Sequence, residues 1–210
     1  MLSALSTPPS ASAPTGGGRP LGVILAQGCF VAAAVPGLVA YGLMSFVMTA
    51  APLAMVACGH SVGIAALGIQ WHILAMYGPS FVTGRLLDRF GKGAVTALGL
   101  GLIAAAAVIG LSGLSVAHFW IALVLLGIGW NFGFIGATAL VTECYRPEER
   151  AKVQAANDFL VVGSVAAASF SSGGLLHSGG WQIINWLVFP PVIAALALLA
   201  WRARARIAVA

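Results

Sequence analysis

Charge is what this sequence has least of: Asp, Glu, Lys and Arg together make up 7% of its 210 residues, against about a quarter in an average globular chain. That scarcity excludes a water-soluble domain, which could not cover its surface. Cysteine is scarce too, with Cys29, Cys58 and Cys144 the only three. They are odd in number and lie in separate segments, which argues against a disulfide framework and reads them as small buried apolar side chains. Of the signatures of enzyme chemistry, HExxH, CxxC and the P-loop are absent. A nucleophile such as Ser80 has no base at an obvious spacing. What is abundant is apolar, with 60% hydrophobic residues and a mean hydropathy of +1.00. The 27 glycines suit helices that pack closely in lipid. These features predict an all-α membrane protein, with no enzymatic activity, no cofactor and no metal.

Residues 1–20 are rich in Ser, Pro, Gly and Thr and carry one charge, Arg19. They read as a disordered tail without the basic and apolar regions of a secretory signal. Residues 21–202 divide into six apolar segments of spanning length, each needing about 20 residues. The segments are Leu21 to Gly59, Val62 to Thr83, Ala94 to Val116, Phe119 to Thr142, Gln154 to Leu176 and Trp181 to Trp201. The first fits one long helix, or barely a hairpin turning at Pro36-Gly37; the single helix is preferred, because two crossings would each sit at the bottom of the spanning range. Residues 203–210 form a basic C-terminal tail.

Basic residues follow every second segment: Arg85, Arg89 and Lys92, then Arg146, Arg150 and Lys152, then Arg202, Arg204 and Arg206. The intervening loops hold none. The positive-inside rule therefore places both termini and the basic loops in the cytoplasm of a multi-pass cell-membrane protein. The net charge of +5 is thus an orientation signal, and nucleic acid is not an expected partner.

The loop after the second segment reads Gly84-Arg-Leu-Leu-Asp88-Arg89-Phe-Gly91-Lys92-Gly93. Gly84 and Gly91 permit a tight reversal, Asp88 suits a helix N-terminus, and Arg89 offers a fork to a carboxylate. A solvated basic loop would explain the same letters. The pattern G-x-x-x-D-R-x-G-K, together with GWNFGFIGATALVTECYRPEERAKVQAANDF further on, resembles the C-terminal half of bacterial members of the major facilitator superfamily. The resemblance covers residues 30 to 200. It implies one six-helix half made of two inverted three-helix repeats, acting as a secondary transporter that moves a small solute by alternating access. It also implies a gating motif of Gly84, Asp88, Arg89, Gly91, Lys92 and Glu143, with Arg89 paired to Glu143. Usual members have two such halves. The expected partners are therefore the lipid bilayer, a solute with a coupling proton as a candidate, and a second half or a second copy of the chain. The alternative is a truncated remnant or a non-transporting membrane interaction protein.

By the same resemblance the first and fourth helices face the substrate path, which brings in Tyr41, Trp130 and Asn131. Two readings are open for Asn131 and Trp130, a wet cavity or packing between helices. Gln70 and His72 lie midway along the second helix, His72 as proton shuttle, substrate ligand or interhelical hydrogen-bonding group. Its separation from Asp88, about 24 Å along a helix, keeps it out of the gate. The fifth helix begins Gln154-Ala-Ala-Asn157-Asp158, with Asp158 as a proton-coupling or gate residue or a first-turn acid favouring the helix dipole. His60, His118 and His177 occupy the three opposite loops, as a metal site or by coincidence. Cysteines introduced at His60 and Arg150 are expected to label from opposite faces of the membrane; labelling from one face would overturn the six-span topology.

Overall fold

The computed structural model describes residues 18–207 and is helical throughout. Of the expected N-terminal tail, residues 1–17 lie outside the described residues, as do residues 208–210 at the other end. A short α1, Leu21–Leu25, leads into α2, Gly28–Ala57. α2 runs unbroken through Pro36 and Pro52, so the hairpin does not form. Its 30 residues span about 45 Å, more than a bilayer core of about 30 Å.

The second apolar segment is divided in two. α3, Val62–Tyr77, starts where Ser61 caps Ile64 and stops at Gly78-Pro79. α4, Ser80–Phe90, carries the motif. Gly91, with φ of +85°, turns the chain into α5, Lys92–Ser112. Gly84 and Gly93 therefore lie inside helices, and the reversal rests on Gly91 alone. α6 follows as Val116–Val141. A 3₁₀ turn at Pro147–Glu149 then opens α7, Arg150–Trp186. α7 is interrupted at Gly180, where φ is 66°. Leu187 and Val188 separate it from α8, Phe189–Ile207. Pro190 and Pro191 thus sit in the first turn of α8, where a missing amide is tolerated, and do not bend it from within. Four helical stretches among the described residues are long and apolar enough to cross a membrane: Gly28–Ala57, Lys92–Ser112, Val116–Val141 and the interrupted run Pro147–Ala205. Val62–Tyr77 is apolar but shorter.

α6 is the spine of the bundle, packed against α5, α2 and α3, while α7 lies on α2 and α8 on α2 and α5. Glycine makes the closest of these contacts. A Cβ on Gly99 of α5 would stand 2.1 Å from the Gly133 amide of α6, and one on Gly129 would stand 2.8 Å from the Gly99 carbonyl. Carbonyls of one helix also receive side chains of another. The indole of Trp181 donates to Gly110 at 2.9 Å, and the Ser172 hydroxyl donates to Phe46 at 2.7 Å. Such cross-ties satisfy polar groups that lipid could not.

The cysteine reading needs correction: Cys29 and Cys144 form a disulfide, with Cα atoms 5.8 Å apart, and Cys58 is free and exposed. The reason is topological. α2 and α6 are antiparallel neighbours, so the start of one meets the end of the other although 115 residues separate the two sulfurs in sequence.

The α5–α6 contact yields a test. Gly99→Ala is expected to lower stability in detergent by about 1–3 kcal/mol, the scale of overpacking, read as a lower melting temperature. Gly101→Ala, whose Cβ would meet nothing within 4 Å, is expected to leave it unchanged.

Candidate functional site

Most of the polar chemistry gathers at one end of the bundle, where α2, α5 and α7 begin and α6 and α8 finish. Glu143 receives Lys92 Nζ at 2.9 Å and Arg202 Nη2 at 2.9 Å. The carboxylate thereby ties the first residue of α5 to the last turns of α8. Arg89 takes no part among these pairs. It projects from the exposed side of α4, its guanidinium 5.3 Å from the centre of the Phe90 ring. The carboxylate expected for Arg89 is met instead by Lys92, because the Gly91 turn carries the chain onto α5, and α5 packs on α6.

A second carboxylate at this end is wholly buried. Glu149 accepts the Arg19 backbone amide at 2.8 Å, Arg19 Nε at 2.9 Å, Arg19 Nη2 at 2.7 Å and the Arg146 amide at 2.9 Å. Lys152 Nζ completes the knot by donating to the Arg19 carbonyl. The Arg19 side chain, with the Arg146 amide after it, holds the Glu149 carboxyl well below the usual carboxylate range, against burial acting the other way. The same bond raises the Arg19 guanidinium further. Arg19, expected in a disordered tail, is therefore a fixed structural residue.

In mid-bundle, the break between α3 and α4 leaves the Met76 carbonyl without the amide that a continuous helix would supply. Asn131 fills the gap. Its Nδ2 donates to Met76 O at 2.7 Å and to Ser80 Oγ at 2.8 Å, while its Oδ1 accepts from Thr83 Oγ1 at 2.6 Å. Both amide hydrogens are thus engaged, and the side chain is fully buried. Of the two readings of Asn131, the geometry realises the interhelical one. His72 is also fully buried, its Nδ1 2.7 Å from the Leu123 carbonyl, which makes Nδ1 the donor; its Nε2 has no partner.

One helical turn away the rings of Tyr41, Tyr77, Trp130 and Phe134 meet. Trp130 stacks on Phe134 at 5.5 Å, Tyr41 stands edge-on to both, at 5.3 Å and 4.9 Å, and Tyr77 lies 6.0 Å from Trp130. Tyr41 and Trp130 were legible in the sequence as candidates; Tyr77 was not, since only the break after it reveals its place.

The remaining candidates are dispersed. Gln70 is on the exposed side of α3, and Asn157 is buried beside Gly37 and Phe134. Asp158 is exposed, and α7 begins at Arg150, so it lies beyond the first turn and the dipole reading fails. His60 reaches across to the Leu114 carbonyl of another loop, and His118 bonds the neighbouring Ser115 hydroxyl. Among the described residues no three His, Cys, Asp or Glu side chains come together as metal ligands. The apolar cavity of about 290 Å³ between α2, α7 and α8, lined by Phe46, Leu175 and Pro191 among others, holds none of the candidates.

Residues 15–208 match the family profile described as Major Facilitator Superfamily. The chain belongs to the major facilitator superfamily. It is a transporter-family protein of the membrane and not an enzyme. It is 62% identical over 185 residues to the riboflavin transporter RfnT of Brucella anthropi, an overlap of 88% of this chain and 46% of that one. The MFS-type transporters YdeG and YddS of Bacillus subtilis are 39% and 38% identical, over 72% and 68% of this chain and 37% and 33% of their own lengths. The chain thus spans less than half the length of each of these relatives. Within this member of the superfamily, the motif expected between the second and third segments occupies α4 and the start of α5.

The buried Glu149 sets a pH dependence. Because its carboxyl is depressed in the fold, its contribution is present above the ordinary glutamate value of about 4.3 and is lost as pH falls below it. Glu149→Gln is expected to lower the melting temperature at neutral pH and to flatten the decline of stability below about pH 4 relative to the parent. An acid limb identical in both proteins would show that the Arg19 contact carries no stability.

Proposed function

We propose that the chain is one six-helix half of a secondary transporter whose solute is riboflavin or a close flavin analogue, moved by alternating access against a second half. The observation that carries this reading is the 62% identity to a riboflavin transporter over 88% of the chain. In this reading the six crossings are α2, α3 with α4, α5, α6, the limb of α7 up to Gly179, and the remainder from Trp181 through α8. Both termini face the cytoplasm, a placement supported by the position of the basic residues. The residues at that end, Gly84, Asp88, Arg89, Gly91, Lys92 and Glu143, form the gate. Asp88 and Arg89 are exposed, ready to meet a second half, while Lys92 and Glu143 fix α5 to α6 and α8.

One half supplies one wall of a pathway, and the chain matches 46% of the relative's length; in this reading another six-helix unit supplies the opposite wall. The second reading is a membrane protein without transport of its own. Riboflavin uptake separates the two. Cells carrying the chain with the remaining half of the Brucella transporter are expected to accumulate riboflavin, and Asp88→Asn to reduce the rate roughly tenfold, the scale of a conformational coupling of about 1–3 kcal/mol. No uptake by correctly inserted protein, with a partner half or as the chain alone, would establish the non-transporting reading.

A further inference from the structure

The four-ring group is the largest connected set of aromatic contacts among the described residues. It is built by three helices, Tyr41 from α2, Tyr77 from α3, and Trp130 and Phe134 from α6. Its composition is graded. Trp130 is 7% exposed and forms the floor; Tyr41 and Phe134 are half-buried; Tyr77, the outermost ring, is 59% exposed.

The floor has an unfinished hydrogen bond. Trp130 Nε1 is buried and has no acceptor. A buried indole N–H ordinarily finds a partner, and leaving one desolvated and unpaired is costly. Ordinary helix packing would be served by an aliphatic side chain without that cost. A buried orphan donor beneath three rings, one of them open, is the arrangement expected where a planar ligand with carbonyl acceptors is to be received.

We infer that Tyr77, Tyr41 and Phe134 form a stacking wall for a planar heteroaromatic ring, with Trp130 behind them donating its N–H to a ring carbonyl of the bound molecule. This rests on the flavin reading above and deepens it, naming the surface that would hold the isoalloxazine ring. That ring is flat, polarisable, and carries carbonyl oxygens at one end, so it matches both halves of the arrangement. The N–H is covered, and Tyr77, the most exposed of the four rings, is the one that would swing aside to admit the carbonyl. Gln70 lies seven residues before Tyr77 on the same face of α3, also exposed. It stands about 10 Å from Tyr77 along the helix, the length of the tricycle.

Stacking on tyrosine or tryptophan quenches flavin emission, which supplies a direct readout. The purified chain in lipid nanodiscs is titrated into riboflavin. The expected result is quenching that saturates, with the apparent affinity reduced roughly tenfold by Tyr77→Ala or Trp130→Ala and only a few-fold by Trp130→Phe, which keeps the ring and removes the N–H. Tyr77 is exposed, so its truncation spares the fold even if Trp130→Ala does not. Trp71→Phe, an exposed ring outside the cluster, is expected to bind as the parent does. Lumiflavin, the ring without the polyol, is expected to compete, and ribitol, the polyol without the ring, is not. Riboflavin binding that is unchanged in Tyr77→Ala and Trp130→Phe would overturn the stacking wall while leaving transport intact. Absence of binding to the parent chain overturns the wall on this half, and the uptake measurement then decides the transport reading independently.

Discussion

The bundle depends on the approach of two backbones, α5 and α6, to a distance that excludes even a methyl group. Gly99 against Gly133 and Gly129 against Gly99 set that distance, and lipid, being as apolar as leucine, offers no hydrophobic force to replace it. Once α5 and α6 are joined, the other face of α6 is fixed for α2 and α3. The small residues Gly37 and Ala137 bring α2 and α6 close, with a Cβ on Gly37 standing 3.2 Å from that of Ala137. On that second face Trp130, Asn131 and Phe134 find their neighbours. The glycines on one side of α6 and the functional candidates on the other therefore belong to one geometrical problem.

At the charged end the same helices are tied by electrostatics. Glu143 and Glu149 stand on either side of the turn that follows α6, and each gathers cations from elements distant in sequence: Lys92 and Arg202 for the first, Arg19 for the second. The Cys29–Cys144 bond falls between them. Arg202 links the disulfide to Glu143, reaching the Cys29 carbonyl at 3.4 Å while pairing with Glu143 at 2.9 Å. The turn between α6 and α7 thus anchors the beginning of α2, the beginning of α5 and the end of α8. The opposite end is held by hydrogen bonds to backbone carbonyls of other segments, such as His60 to Leu114 and Trp181 to Gly110.

Composition was enough to read the helical class and the membrane, and the abundance of glycine to read close packing between helices. The family, too, was legible in the Gly84 to Gly93 pattern. What escaped has a common cause: partners set by which way a helix end points. Glu143 had a partner in the motif, but Gly91 turns the chain so that Lys92 and not Arg89 meets it. Arg19 looked like a lone charge in a Ser/Pro/Gly stretch because Glu149 lies 130 residues further on. Cys29 and Cys144 looked unrelated until α2 and α6 proved to be antiparallel neighbours. Asp158 looked like a first-turn acid until the 3₁₀ turn at Pro147–Glu149 showed that α7 starts earlier.

The Asn131 amide gives the break at Gly78-Pro79 a mechanical character. In an uninterrupted helix a change of direction stretches or snaps backbone bonds, so bending is resisted along the whole rod. Here the Met76 carbonyl on one side and the Ser80 and Thr83 hydroxyls on the other are all held by a single side chain from α6. That side chain pins the joint: it ties α4 to α3 where no backbone hydrogen bond among the described residues crosses the break. Tyr77, the last residue of α3, sits at the joint, and Asp88 and Arg89 ride at the far end of the arm.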